Sequence, residues 1–365
     1  MKVSVVTVVL NAEDTIEQTI RSVISQSYED MEYIIVDGGS TDNTQNIIHR
    51  YMDKISVFIS EKDQGIYDAM NKGIDCATGD IIGFLNADDW YEPEAVSVIV
   101  CNWGDNDVVY GETNLYDKDC FLGKKKSIPL PSIVKGPLPF CHQSAFVRLS
   151  LLKEMGGFNT DYKICGDYDF FVKSYVSKKK FFHIDHVIAD FRVNGLSNTN
   201  VVKSTEEKIE IIKKHFNRAD YSVESLERLR GGAYLMEAIR QNDRSVLTLI
   251  KEWTKGQSIA VWGLGDWGKR IADYLIGNHY DIVCFYDKNV KDENHTYLDI
   301  PICSLNKLND DKKVLVAIKE TDSTMLEYLK ERKVDYLTLY DLEKAALANR
   351  HDESLDLAGC NRVKI

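Results

Sequence analysis

Residues 3–44 read "VSVVTVVLNAEDTIEQTIRSVISQSYEDMEYIIVDGGSTDNT". The opening "VSVVTVVL" is a short apolar run, read as a strand buried in a core. "AEDTIEQTIRSVISQ" sets Ile16, Ile20, Val23 and Ile24 at helical spacing. "YIIVD" is a second strand, and "TDNTQNIIHRYM" a helix opened by capping residue types. The rhythm continues outward: "VFISE" as strand, "GIYDAMNKGIDCAT" as helix closed near Gly79, "IIGFL" as strand. Strand–helix alternation of this kind predicts an α/β fold with a mostly parallel central sheet. In such sheets ligands bind beyond the carboxyl ends of the strands. Asp37, Glu61 and Asp88 all sit just past strand ends, so one crevice is expected to collect them.

The chain has 365 residues, 44% hydrophobic and 28% charged, which suits a globular protein of two or three domains. A net charge of −12 argues against broad nucleic-acid binding. The eight cysteines form no CxxC pairs, which argues against a zinc site or disulfide framework and for free thiols in a reducing cytoplasm. Met1-Lys2 runs straight into a strand, not a secretory leader, and no apolar stretch nears the roughly 20 residues of a membrane span. The expected location is cytoplasmic, with any membrane work done from the inner face of the cell membrane.

Beyond residue 110 the pattern loosens. "LGKKKSIPLPSIVKGPLPFCHQS" holds four of the six prolines, which marks a loop-rich surface. Residues 201–255 read as a helical connector. At 256 the strand–helix pattern restarts and runs to 345 as a second, smaller α/β domain, followed by a polar tail at 346–365. The first domain is then 1–200.

"IIGFLNADDWYEP" (81–93) carries the first chemical signal. Adjacent carboxylates at the mouth of a core strand repel each other and lose hydration, unless a cation joins them. Asp88 and Asp89 suit Mg2+ or Mn2+, which take oxygen ligands, and Mg2+ shares protein carboxylates with phosphate oxygens. The plainer reading is a capping pair before the next helix. Asp37, in a turn that two glycines permit, is placed to accept a base N–H; with Ser40 and Asp42 it equally reads as turn and cap.

These stretches, with "GIYDAMNKGIDCATGDIIGFLNADDWYEP", resemble the family 2 glycosyltransferases, over about the first 200 residues and in several ordered motifs. The branch most similar is the one used in bacterial surface-polysaccharide assembly. The resemblance implies a GT-A fold and an inverting transfer from a nucleotide-sugar donor, UDP-linked, to a hydroxyl of a glycan or lipid-diphosphate-linked glycan acceptor. Asp37 would contact the base, with Thr7, Val9 and Glu13 lining the nucleoside pocket. Asp88 falls at the metal-binding aspartate, with Asn86, Ala87 and Asp89 around it. Asp63, Tyr67, Asp68 and Asn71 fall in the donor-facing segment. "CGDYDFF" is similar to the family's "EDYD" motif and puts the catalytic base at Asp167, with Asp169 as the fallback. "FCHQSAF" offers His142 to the diphosphate, metal or acceptor, and "FRVNGLSN" offers Arg192 to the diphosphate. The chain departs from the pattern in three places: Gly38 stands where many relatives carry a second aspartate, Asn86 where many carry a first, and Gly166 where a glutamate is usual. Of two lysine runs, Lys124–Lys126 lies in the Pro-rich acceptor-side region, where it suits anionic headgroups or solvent.

"VWGLGDWGKRIADYL" spaces Gly263, Gly265 and Gly268 as GxGxxG, and Asp287 closes the next strand. This is a dinucleotide fingerprint by pattern. Asp266 sets a negative charge where a pyrophosphate would lie, and Trp267 is bulky there. The region resembles Rossmann-like units fused to other sugar-modifying enzymes, where the glycines serve the fold. A nicotinamide-dependent oxidoreductase centred on 256–345, and a catalytically silent nucleotide-binding scaffold, are the competing readings.

Overall fold

The computed structural model describes residues 1–193, 195, 199–288, 295–308, 313–318 and 323–348. The chain divides into two units, Met1–Leu226 and Glu227–Ile365. In the first, β1 (Val3–Val9), α1 (Ile16–Ile24), β2 (Met31–Asp37), α2 (Thr44–His49), β3 (Val57–Ser60), α3 (Ile66–Cys76) and β4 (Ile81–Asn86) follow one another. Then come β5 (Trp90–Tyr91), α4 (Ala95–Cys101), β6 (Val108–Asp117), β7 (Cys120–Lys125), β8 (Ala145–Arg148), α5 (Leu149–Glu154), α6 (Gly166–Val176), β9 (Phe181–Arg192) and α7 (Val201–His215).

All nine strands join one sheet among the described residues, in the order β3-β2-β1-β4-β8-β6-β9-β5, with β7 paired to β6. The strands from β3 to β4 are parallel, as the alternating pattern predicts. Beyond β4 the sheet is mixed: β8 runs antiparallel to β4 and β6, while β6 and β9 are parallel. The mostly parallel expectation is corrected there. Parallel neighbours need a crossover, whereas the β6–β7 turn has only Lys118 and Asp119, with Lys118 at φ 52°. Every residue of β1 is buried, and Ile16, Thr19, Ile20 and Val23 of α1 are buried as well. Val3, Val5 and Val9 share one core with Ile16, Ile20 and Leu85. That core fixes where β1, β2 and β4 end, and their ends form the floor of the cleft.

The stretch 201–255 does not stand apart from the two units. α7 belongs to the first, where Ile209, Ile211 and Ile212 are buried and the helix packs against α6. The second unit holds α8 (Val223–Arg240, which begins just before the division), α9 (Arg244–Thr254), β10 (Ile259–Trp262), α10 (Asp266–Gly277) and β11 (Ile282–Tyr286). It continues with β12 (Thr296–Tyr297), β13 (Ile300–Cys303), β14 (Lys313–Val316), α11 (Ser323–Glu331), β15 (Asp335–Thr338) and α12 (Leu339–Ala348). Its sheet runs β12-β13-β11-β10-β14-β15 and is parallel apart from β12. Apolar clusters cover both faces, as a parallel sheet requires. The expected polar tail lies outside the described residues from 349 onward.

One carboxylate ties the start of the sheet together. Glu32 accepts from Ser4 Oγ at 2.6 Å, Thr78 N at 2.6 Å and Thr78 Oγ1 at 2.7 Å, and pairs with Lys2 Nζ at 2.7 Å. Burial pushes its pKa up, but Lys2, Ser4 and Thr78 together outweigh burial and hold it down at about 2. A carboxylate depressed in the fold stabilises it above the unfolded pKa and loses that contribution as pH falls through the folded value. Glu32→Gln should therefore cost about 2 kcal/mol at pH 7, with the gap to wild type closing as pH falls from 5 toward 2. Urea unfolding across that range checks it; a gap independent of pH would contradict it.

Candidate active site

A cleft of about 1050 Å³ opens at the carboxyl ends of the strands in the first unit. Its walls come from the exit of β1, the exit of β4, the start of α3, the loop around His142, the segment leading into α6, and α7.

Asp167 sits in the first turn of α6, half-buried on this cleft. Its Oδ1 lies 2.9 Å from the Tyr67 hydroxyl, and that hydroxyl is also 2.7 Å from the Ile164 carbonyl. Burial, then the charge of Asp167, pushes the Tyr67 pKa well up, so the phenol stays a donor. Gly166 is needed for this approach: a Cβ there would come within 2.8–2.9 Å of the Tyr67 ring. Gly166, which stands where the resemblance expects a glutamate, thus makes room for the tyrosine that holds Asp167. Oδ2 of Asp167 faces His142 Nδ1 at 3.4 Å. Burial lowers the His142 pKa against the raising effect of Asp167 and Asp88. Nε2 of His142 is buried with no hydrogen-bond partner. Asp169, the fallback base, is buried in an ion pair with His215 Nε2 at 2.7 Å and does not line the cleft.

The two strand-exit aspartates part company. Asp88 lines the cleft, and burial pushes its pKa up. Asp89 is fully buried, accepting from Gln143 Nε2 at 2.7 Å and from the Arg192 backbone N–H at 3.0 Å. Burial and then the charge of Asp88 push its pKa well up. Asp89, expected as a metal ligand, has both oxygens engaged in holding loops together and does not line the cleft. No three His, Cys, Asp or Glu side chains converge as a ligand group among the described residues. Asn86 and His142, whose buried Oδ1 and Nε2 lack hydrogen-bond partners, nevertheless line the same cleft as Asp88. Carboxylate and amide oxygens such as those of Asp88 and Asn86 suit Mg2+ or Mn2+.

A family model for glycosyl transferase family 2 matches residues 4–169, and one for the PglD N-terminal domain matches residues 258–321. A PGL/p-HBAD biosynthesis glycosyltransferase of Mycobacterium bovis is 31% identical over 221 residues, covering 55% of this chain and 80% of that protein. An uncharacterized glycosyltransferase of Mycobacterium tuberculosis is 31% identical over 186 residues, covering 47% of this chain and 68% of that protein. The chain belongs to the family 2 glycosyltransferases. TarS of S. aureus, solved with UDP-GlcNAc, shares its fold at TM-score 0.51 and 17% identity, covering 75% of this chain and 81% of that one.

The remaining expected residues of this family 2 glycosyltransferase divide between the cleft and the scaffold. Val9, Glu13, Ala87 and Asn86 line the cleft. Thr7 does not: it is buried and accepts from the Tyr33 hydroxyl at 3.0 Å. Asp37 is also fully buried, accepting from Ser60 Oγ at 2.7 Å, Gln45 Nε2 at 2.9 Å and Ser40 N at 3.1 Å. It braces the turn, and it does not line the cleft. Asp63 does reach the cleft, gripped by Lys72, and its carboxylate lies 3.0 Å from where a Cβ on Gly38 would stand. It fills the space beside the position where many relatives carry an aspartate. Asp68 accepts from Gln64 N at 3.0 Å and braces the start of α3. Asn71 bonds the Phe158 N–H and C=O, each at 2.9 Å. Arg192 donates to the Asp88 carbonyl at 2.6 Å and to Gln18 at 2.7 Å, and stacks over Trp90. Asp68, Asn71 and Arg192 line no part of the cleft. Glu61, expected in the same crevice, is exposed and salt-bridged to Lys72.

Lys125, from the lysine run expected on the acceptor side, lines the cleft, as do Lys163 and Lys208, which no motif points to. Lys208 lies on α7, read as connector, where one lysine on a polar helix face carries no signal. In the second unit Gly263 takes φ 100°, and a Cβ on Gly268 would meet the Gly263 carbonyl oxygen at 1.8 Å. The Asp287 carboxylate accepts from Leu264 N at 3.2 Å. These contacts serve the loop's own packing.

Asp89→Ala strands a buried amide and a backbone N–H and should cost about 3 kcal/mol, whereas Asp89→Asn keeps one acceptor and should cost under about 1 kcal/mol. Because the carboxyl titrates high in the fold, wild type should lose stability relative to Asp89→Asn as pH rises through that value. Unfolding curves check both; equal damage from the two variants, with Mn2+ affinity lost in each, would restore Asp89 as a ligand.

Proposed function

We propose that the first unit transfers a sugar, with inversion, from a nucleotide-diphosphate donor to a hydroxyl of a glycan or lipid-diphosphate-linked glycan, in surface polysaccharide synthesis. The observation that carries this reading is the Asp167 carboxylate, half-buried on a cleft that also holds Asp88, held at one oxygen by Tyr67 and faced at the other by His142. Asp167 takes the proton of the acceptor hydroxyl as its oxygen attacks the anomeric carbon. The bond from that carbon to the diphosphate breaks, and the leaving oxygen keeps the electron pair.

Asp88, Asn86 Oδ1 and His142 Nε2 would hold Mg2+ or Mn2+. A bound ion supplies charge neutralisation for the leaving diphosphate. His142 faces Asp167, with Nδ1 3.4 Å from Asp167 Oδ2 and Nε2 without a partner. The nucleoside lies along Val9, Glu13 and Asp63. UDP as the nucleotide follows from the family resemblance and is in keeping with TarS, which holds UDP-GlcNAc in the same fold.

The acceptor side is basic. Lys208 is half-buried and has no hydrogen bond or ion pair among the described residues, and Lys125 and Lys163 line the same cleft. This favours an acceptor that bears phosphate. Phe121 and Leu122 are exposed on β7 next to Lys124 and Lys126, which supports contact with an anionic membrane surface on its cytoplasmic side.

Incubation with UDP-, GDP- and dTDP-sugars and Mn2+ or Mg2+ tests the reading through release of free nucleotide. Metal-dependent release from one donor is expected. It should fall at least about 100-fold in Asp88→Ala and in Asp167→Asn. Release that ignores both substitutions, or no release together with no metal-dependent nucleotide binding, would overturn it.

A further inference from the structure

The three residues that lead into α6 present their backbone N–H groups to one carboxylate. Glu207 Oε1 accepts from Lys163 N at 3.0 Å, and Oε2 accepts from Ile164 N and Cys165 N, each at 2.9 Å. Successive N–H groups turned to one side form a concavity that attracts an anion. Here the chain supplies the anion itself, from a helix 40 residues further on. On its other side the same peptide is held by the Tyr67 hydroxyl, at the Ile164 carbonyl. Two residues after Cys165 comes Asp167.

α7 is fixed against this segment along its length. The Tyr162 hydroxyl reaches Glu210 at 3.2 Å, and His215 pairs with Asp169 at 2.7 Å. Ile209, Ile211 and Ile212 bury the helix's apolar face. Glu207 is thus held on a rigid element, and what it holds in turn is the approach to the base.

We infer that Glu207 is a positioning residue for the transfer: it sets the backbone that fixes where the Asp167 carboxylate stands. The inference rests on Asp167 being the base. Glu207 does not touch the cleft's donor end, so its loss slows the chemistry and leaves nucleotide binding alone. A displacement of about 1 Å at a reacting group is enough to cost on the order of 100-fold in rate.

The test compares wild type, Glu207→Ala, Glu207→Gln, Asp167→Asn and the Glu207→Ala/Asp167→Asn double variant. It uses whichever nucleotide sugar of the panel the wild type hydrolyses. Rates are expressed per nucleotide-binding site, counted by titration with the free nucleotide. Glu207→Ala should lower kcat about 10- to 100-fold with donor KM within about threefold, and Glu207→Gln, which keeps one acceptor oxygen, should fall between. The double variant should be no slower than Asp167→Asn, because Glu207 acts only through Asp167. Full kcat per site in Glu207→Ala, or a double variant that multiplies the two losses, would overturn the inference. An unchanged kcat in Asp167→Asn would instead sink the assignment of the base. If no donor is hydrolysed, the strap is read by amide hydrogen exchange. Glu207→Ala should speed exchange at Ile164 and Cys165 at least about tenfold while β1 and β4 keep their protection. Unchanged exchange at both amides would refute it.

Discussion

The hydroxyl of Tyr67 is the contact on which the cleft depends. It lies between the Ile164 carbonyl and the Asp167 carboxylate, and so joins α3 to the segment that carries Asp167, the proposed base. Burial and the nearby carboxylate hold its proton in place. The contact exists because residue 166 has no side chain, and it is completed by His142 on the other carboxylate oxygen. A base that must meet an acceptor hydroxyl at one distance and angle gains from this bracing, since positioning is a large part of what a site of this kind contributes.

The strand-end acids show how a fold divides like groups between scaffold and chemistry. Asp37 and Asp89 are fully buried, and each accepts several hydrogen bonds that close a loop. Asp88 keeps its carboxylate toward the cleft. Loops closed by buried carboxylates are costly to rearrange, because an unpaired buried charge is heavily penalised. The cleft therefore stands on fixed edges, with Asp88, Asn86 and His142 free to meet a ligand.

Much of the fold was legible because period and punctuation agreed from residue 3 to residue 86. Apolar strands, amphipathic helices and polar turns all pointed to one parallel sheet. The mixed half was not legible: the antiparallel return of β8 depends on contacts between segments far apart in sequence. Asp88 and Asp167, which motifs single out, both line the cleft. The sequence did not show which way a side chain turns. Asp88 and Asp89 are adjacent and chemically identical, and only the pairing of Asp89 with Gln143 and Arg192 separates them. Thr7, Asp68, Asn71 and Arg192 lie in the expected segments but face the scaffold for the same reason. Glu207 and Lys208 gave no signal, since their meaning comes from α7 packing on α6.

The most direct measurement is nucleotide release by Tyr67→Phe, set beside its affinity for the free nucleotide. The variant keeps the ring that packs on Gly166 and removes only the hydroxyl. The account predicts that release slows at least about tenfold while nucleotide affinity stays within about twofold. Release at the wild-type rate would contradict it, because Asp167 would then not depend on the contact that holds it.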